Sequence, residues 1–275
     1  MRKLNTCPRC RAFFEVDQKV CPSCKTSIVP KLIREKGGIF DRLADRRLTA
    51  VNLLVGANVL VFIAAAVLQG GLNMHGGIFS IGGLGGKTLD AMGAAWPQQV
   101  VRDGEWWRLV CPMFLHVNII HILFNLMVLR QAGPLVERAL GSAKFLTLYL
   151  VAGLLGDAAS LWWHAPGPGG VGASGAVFGV IGMAAVLGYR SGHRDLTYAM
   201  LRWIVIVLFM GFALPNIDNA GHMGGLGAGV ALAFMVKGAA RTRLNVAAVR
   251  FWDATGLAGA GLVLASFAMV AVGLT

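Results

Sequence analysis

Val171-Gly-Ala-Ser-Gly-Ala-Val-Phe-Gly179 sets a single serine, Ser174, among small residues inside a long apolar run. Gly175 and Gly179 lie four positions apart, so on a helix they form a flat stripe against which a second backbone packs closely. The matching stripe is in Asn219-Ala-Gly-His-Met-Gly-Gly-Leu-Gly-Ala-Gly229, where Gly221, Gly225 and Gly229 repeat at the same interval and His222 adjoins the first of them. Two helices joined along these stripes would bring a serine hydroxyl and an imidazole within hydrogen-bond reach, the minimum for an activated nucleophile.

Around these stretches the chain is 56% hydrophobic and only 14% charged over 275 residues, with apolar runs close to the length that crosses a bilayer. Helices are expected near 50–69, 118–136, 145–163, 172–189, 197–214, 219–236 and 254–274. The formal charge of +12 does not indicate a nucleic-acid partner, because the basic residues punctuate the ends of the apolar runs. With the N-terminus inside, only Lys87, Arg102 and Arg108 of the 25 lysines and arginines fall outside. This predicts a multi-pass plasma (inner) membrane protein, N-terminus cytoplasmic and C-terminus outside. The first residues hold no apolar signal core and are expected to remain attached.

Before the first span, Cys7-Pro-Arg-Cys10 and Cys21-Pro-Ser-Cys24 form two knuckles suited to placing four thiolates around one zinc, as in a zinc ribbon. Metal-bound thiolates fit a reducing compartment. Cys111, far from both knuckles, reads as a packed small hydrophobe. Pro30 to Thr49 is a basic linker, suited either to lying on anionic headgroups or to serving as a solvated spacer. Gly82-Gly-Leu-Gly-Gly-Lys-Thr88 imitates a phosphate loop, but Ile81 stands where that pattern needs glycine. The paired tryptophans of Gly104-Glu-Trp-Trp-Arg108 suit headgroup level, so the external segment 70–117 is expected to be partly embedded in the outer leaflet.

Under this topology the helices starting near 118, 172 and 219 all run from outside to inside and carry polar residues in their first turns: His121 and Asn125, Ser174, and His222. His116 can approach the same point from the preceding loop. Each alone reads as a packing residue; their convergence at one depth points to chemistry, since polar groups in lipid are costly. The chemistry indicated is peptide hydrolysis, with Ser174 attacking, His222 moving the proton, and His121, Asn125 and the Ser174 backbone N–H offering oxyanion donors. No carboxylate is placed to orient His222, which gives a dyad; Asp218 reads as a helix cap.

Glu105-Trp-Trp-Arg108, His116-Val-Asn-Ile-Ile-His121 with Asn125, Gly172-Ala-Ser-Gly175 and Asp218-Asn-Ala-Gly-His222 with Gly224 and Gly225 together resemble the rhomboid family of intramembrane serine proteases. The resemblance covers roughly residues 50–236 and implies an all-α, polytopic six-helix core. It implies Ser174 and His222 as the dyad, His121 and Asn125 at the oxyanion, and His116, Gly172, Trp107 and Arg108 in support. It further implies single-pass transmembrane substrates in the lipid bilayer, cut near the outer face next to small residues, with no cofactor for catalysis. It does not carry a structural ion pair to Glu137, because Ala139 stands where some relatives have arginine.

The chain therefore divides into a zinc ribbon (1–29), the basic linker (30–49), the protease core (50–236), and a basic loop with a seventh transmembrane helix (237–275). The ribbon is expected to act apart from the core, by engaging a cytoplasmic partner or the membrane. The competing reading is an inactive relative that handles membrane-protein clients; a small-molecule transporter fits less well, because the polar residues sit at one depth and line no path.

Overall fold

The expected apolar runs all fold as helices in the computed structural model, which describes residues 4–7, 9–15, 18, 20–26, 49–75, 80–165, 167, 169–213, 217–235 and 246–273. A two-stranded ribbon, β1 (Leu4–Thr6) and β2 (Phe13–Glu15), comes first. Then follow α1 (Ala50–Gln69), the short α2 (Gly86–Ala91) and α3 (Pro97–Val101), α4 (Ile119–Leu140), α5 (Ser142–His164), α6 (Ser174–Arg190), α7 (Arg194–Ala213), α8 (Asn219–Met235) and α9 (Val246–Gly273). The basic linker lies outside the described residues except for Thr49.

Helices α1, α4, α5, α7 and α9 are long and apolar enough to cross a membrane, which makes this a multi-pass membrane protein. Helices α6 and α8 have 17 residues each. At about 1.5 Å per residue they span about 26 Å, short of the ~30 Å hydrocarbon layer.

Helix α4 runs on to Leu140, beyond the expected 136 and through Pro134, because its last turn is used. There the buried Glu137 accepts the backbone N–H groups of Ala50 (2.7 Å) and Val51 (3.1 Å) and the hydroxyl of Ser142 (2.6 Å). A carboxylate at the start of α1 satisfies N–H groups that have no intrahelical partner and complements the helix dipole.

The segment between α1 and α4 folds around Arg108, whose buried guanidinium donates to the Asp90 carbonyl (2.9 Å), the Asp90 carboxylate (3.0 Å), the Ala94 carbonyl (2.7 Å) and Glu105. Residues Cys111 to Leu115 are thereby pressed into the core. The far half of α9 backs them: Phe267 meets Phe114 edge-on at 5.8 Å, and Val270 lies against the same buried cluster as Cys111.

At the opposite end of the bundle the ribbon is docked. Phe13 is buried in the main apolar core and meets His193, in the turn between α6 and α7, edge-on at 6.1 Å. Arg11 donates to the Arg138 carbonyl at 3.5 Å. These contacts seat the ribbon against the bundle; a lone aromatic in a three-residue strand gives no sequence sign of where it will be buried.

Candidate active site

Ser174 opens α6 because the loop before it is held at three points. Gly172 has φ +135°, a region that side chains disfavour, and a Cβ there would lie 2.7 Å from Cε1 and 2.8 Å from Nε2 of His121. Its N–H donates to the Pro112 carbonyl at 2.9 Å. The next N–H, of Ala173, points at His116 Nε2 at 3.5 Å, and the His116 ring stands edge-on to His121 at 5.0 Å. From α5, Ser160 Oγ accepts the Gly170 N–H at 2.7 Å. Ser174 itself is half-buried, and its backbone N–H belongs to the first turn of α6, whose amides have no intrahelical acceptor.

The two glycine stripes meet as their spacing predicts. A methyl group on Gly225 would collide with the Gly175 carbonyl, and one on Gly229 with the Gly179 carbonyl. Helix α5 is a third party to this seam: a Cβ on Gly156 would lie 2.9 Å from the Gly221 carbonyl and 3.2 Å from Gly175 Cα. Such approach is open only to backbones without side chains.

Across the seam His222 is 5% exposed, and its ring lies flat on Phe178, with centroids 4.4 Å apart and planes 4° from parallel. Phe178 follows Ser174 by one helical turn, so one face of α6 carries both the hydroxyl and the surface that orients the imidazole. His222 Nδ1 is buried without a hydrogen-bond partner, and no bond between the Ser174 hydroxyl and the His222 ring is among the described contacts. Asp218 caps α8, accepting the Gly221 N–H at 2.9 Å. Asn125 gives one of its two amide N–H groups to the His121 carbonyl at 3.0 Å.

Beside Ser174 is a cavity of about 10 Å³, lined also by Gly172, Gly175, Gly221, Asp218 and Asp157. That is room for about one water molecule. Asp157 Oδ2 is buried without a partner. Asp157, Phe178 and the glycines of α5 are absent from the sequence-derived site. The regular 153, 156, 160 spacing of small residues on α5 marks a packing face, but nothing in the sequence of Phe178 sets it apart from other apolar residues. Arg108 organises the outer loop, and Trp107 is half-buried with its ring edge-on to Trp106 at 6.1 Å.

At the other end of the molecule, the sulfurs of Cys7, Cys10, Cys21 and Cys24 all lie within 4.8 Å of one another, with Cys7 to Cys24 at 3.6 Å and Cys10 to Cys21 at 3.4 Å. A tetrahedral zinc with Zn–S bonds of about 2.3 Å needs sulfur–sulfur edges of about 3.8 Å, so the cluster fits that ion. Cys111 is fully buried, and burial pushes its thiol up to about 12, which leaves it an inert packing residue.

Residues 103–239 match the Rhomboid domain. Among curated proteins the chain is similar to rhomboid protease GluP of Bacillus subtilis, 38% identical over 65% of this chain and 33% of that protein. It is similar to YdcA of the same organism, 35% identical over 49% of this chain and 69% of that one. It is also similar to rhomboid-like protease 1 of Toxoplasma gondii, 33% identical over 54% of this chain and 53% of that one. The chain thus spans about a third of the first of these relatives and about two thirds of the second.

Proposed function

Because the chain belongs to the rhomboid family, we propose that it is an intramembrane serine endopeptidase that cleaves single-pass transmembrane substrates near the outer face of the membrane. Ser174 Oγ attacks the scissile carbonyl while His222 takes its proton and returns it to the leaving amine. The oxyanion forms against the N-terminal amides of α6, beginning with that of Ser174, with His121 and the remaining N–H of Asn125 as side-chain donors. The observation that carries this reading is the position of Ser174: it opens a helix beside a water-sized cavity, with His222 held on Phe178 across a seam of bare backbone.

The protease unit is residues 50–236, with the ribbon (1–29), linker (30–49) and seventh helix (237–275) added to it. The ribbon and the C-terminal end of α4 share one side of the bundle. The charge distribution supports placing that side in the cytoplasm of an inner membrane, with Ser174 near the opposite leaflet.

The test is labelling of purified protein with a fluorophosphonate probe, together with cleavage of a single-pass reporter. Wild type labels and cleaves; Ser174→Ala does neither while melting at the wild-type temperature, since only one oxygen is removed. Substantial cleavage by Ser174→Ala would overturn the assignment.

A further inference from the structure

The ribbon is tied to the bundle by one strand with two buried faces. In β2, Phe13 pairs with Thr6 and Phe14 with Asn5, and successive side chains of a strand point to opposite sides. Phe14 is 2% exposed and packs with Cys7 and Cys21 inside the four-cysteine knuckle. Phe13 is 1% exposed and packs in the helical core against His193. Arg11 adds its bond to the end of α4. Two strands of three residues are far below what holds a hairpin together in water. The ordered pleat that presents Phe13 to the bundle therefore depends on whatever orders the four cysteines.

We infer that the ribbon is a zinc-dependent clamp on the inner end of the bundle: zinc at Cys7, Cys10, Cys21 and Cys24 fixes β2, and Phe13 passes that order to the turn joining α6 to α7. Zinc-binding free energy in such knuckles is folding free energy, and Phe13 makes the bundle share it. The clamp acts on stability and not on chemistry, because Ser174 opens α6 while His193 lies beyond its C-terminal end, with the 17-residue helix, about 26 Å long, between them. The inference holds whether or not the protein is a protease.

The chain offers its own reporter, since all seven tryptophans lie at or after Trp96 and none is in the ribbon. Full-length protein in detergent is melted by tryptophan fluorescence with zinc and after chelation, alongside a zinc count. Wild type binds one zinc per chain, and chelation lowers the melting of the helical core by about 5 °C. Phe13→Ala keeps its zinc but melts at the same temperature with or without it. His193→Ala, altered on the bundle side, keeps its zinc and shows a smaller shift than wild type. The clamp is overturned if wild-type core melting ignores zinc, or if either variant shifts as far as wild type on chelation. A Phe13→Ala chain that binds no zinc overturns it too, since the two faces of β2 would then not be separate.

Discussion

Helices α6 and α7 are consecutive in the chain and both are predominantly apolar, yet they take opposite places. Every residue of α6 from Gly175 to Val186 is buried, whereas α7 buries only Leu196 and Met200. Hydrophobicity does not separate them, because lipid is as apolar as a leucine side chain and no hydrophobic force draws one helix inward. What differs is size. Helix α6 presents glycines and alanines to α5 and α8, so its backbone packs against theirs, and α7 presents Phe209, Phe212 and Val205 outward. The helix that carries the candidate nucleophile is thus held centrally by the absence of side chains, and its neighbour is free to face the membrane.

The largest effect is expected where that absence is abolished. Gly225→Val drives a branched side chain into the Gly175 carbonyl, separating α8 from α6 and His222 from Ser174. A misplacement of about 1 Å costs on the order of a hundredfold in rate, and both reporter cleavage and detergent melting should collapse. At Gly227, in the same helix, an added methyl group would find nothing within 4 Å, so Gly227→Ala should cleave and melt like wild type. Equal tolerance at both positions would mean that the helices do not meet along this stripe.

Phe178→Ala comes next. It leaves the seam intact and removes the surface under the His222 ring. Truncating a buried phenylalanine costs about 3–5 kcal/mol, so melting should fall clearly. Cleavage should fall further than in a variant of α6 with an equal loss of stability, such as Ile181→Ala. Parallel losses in the two would reduce Phe178 to a packing residue.

A smaller effect is expected of Asn125→Ala. Losing one oxyanion donor typically costs about 2.7–4 kcal/mol of transition-state stabilisation. Asn125 spends one N–H on the His121 carbonyl, and the α6 amides remain, so the turnover rate should fall by less than that range implies, with little change in substrate affinity. Steady-state kinetics that show a rise in KM alone would remove Asn125 from the oxyanion.

Much of this was legible in the sequence because it is periodic or local. The presence of the helices, though not all their ends, followed from apolar run length, the seam from glycines four apart, the ribbon from paired CxxC spacing, and the Asp218 cap from its place after Pro215 at a helix start. What was missed joins positions far apart in the chain. Glu137 caps a helix that starts 87 residues earlier, Phe13 is buried against His193, and Asp157 faces the cavity beside Ser174 from another helix. A contact of that kind leaves no repeat for periodicity to detect. The opposite burial of α6 and α7 is an intermediate case: it is written in residue size, which hydropathy does not weigh.

The smallest expected effect lies on α7, and it tests the comparison from its other side. Phe209 is 71% exposed, so in the membrane its ring meets acyl chains and not protein. Replacing it by alanine removes contact with lipid in the folded protein and leaves no cavity inside, so the cavity cost that dominates core truncations is absent. Substitutions away from packed features usually stay within about 0.5 kcal/mol. Phe209→Ala should therefore melt and cleave as wild type does. The same change made on α6, at Phe178, removes the same atoms from a helix of similar character and should be crippling. A Phe209→Ala chain with altered cleavage but unchanged melting would show that the outer face of α7 takes part in handling the substrate, and that its exposure is more than the consequence of large side chains having nowhere inside to go.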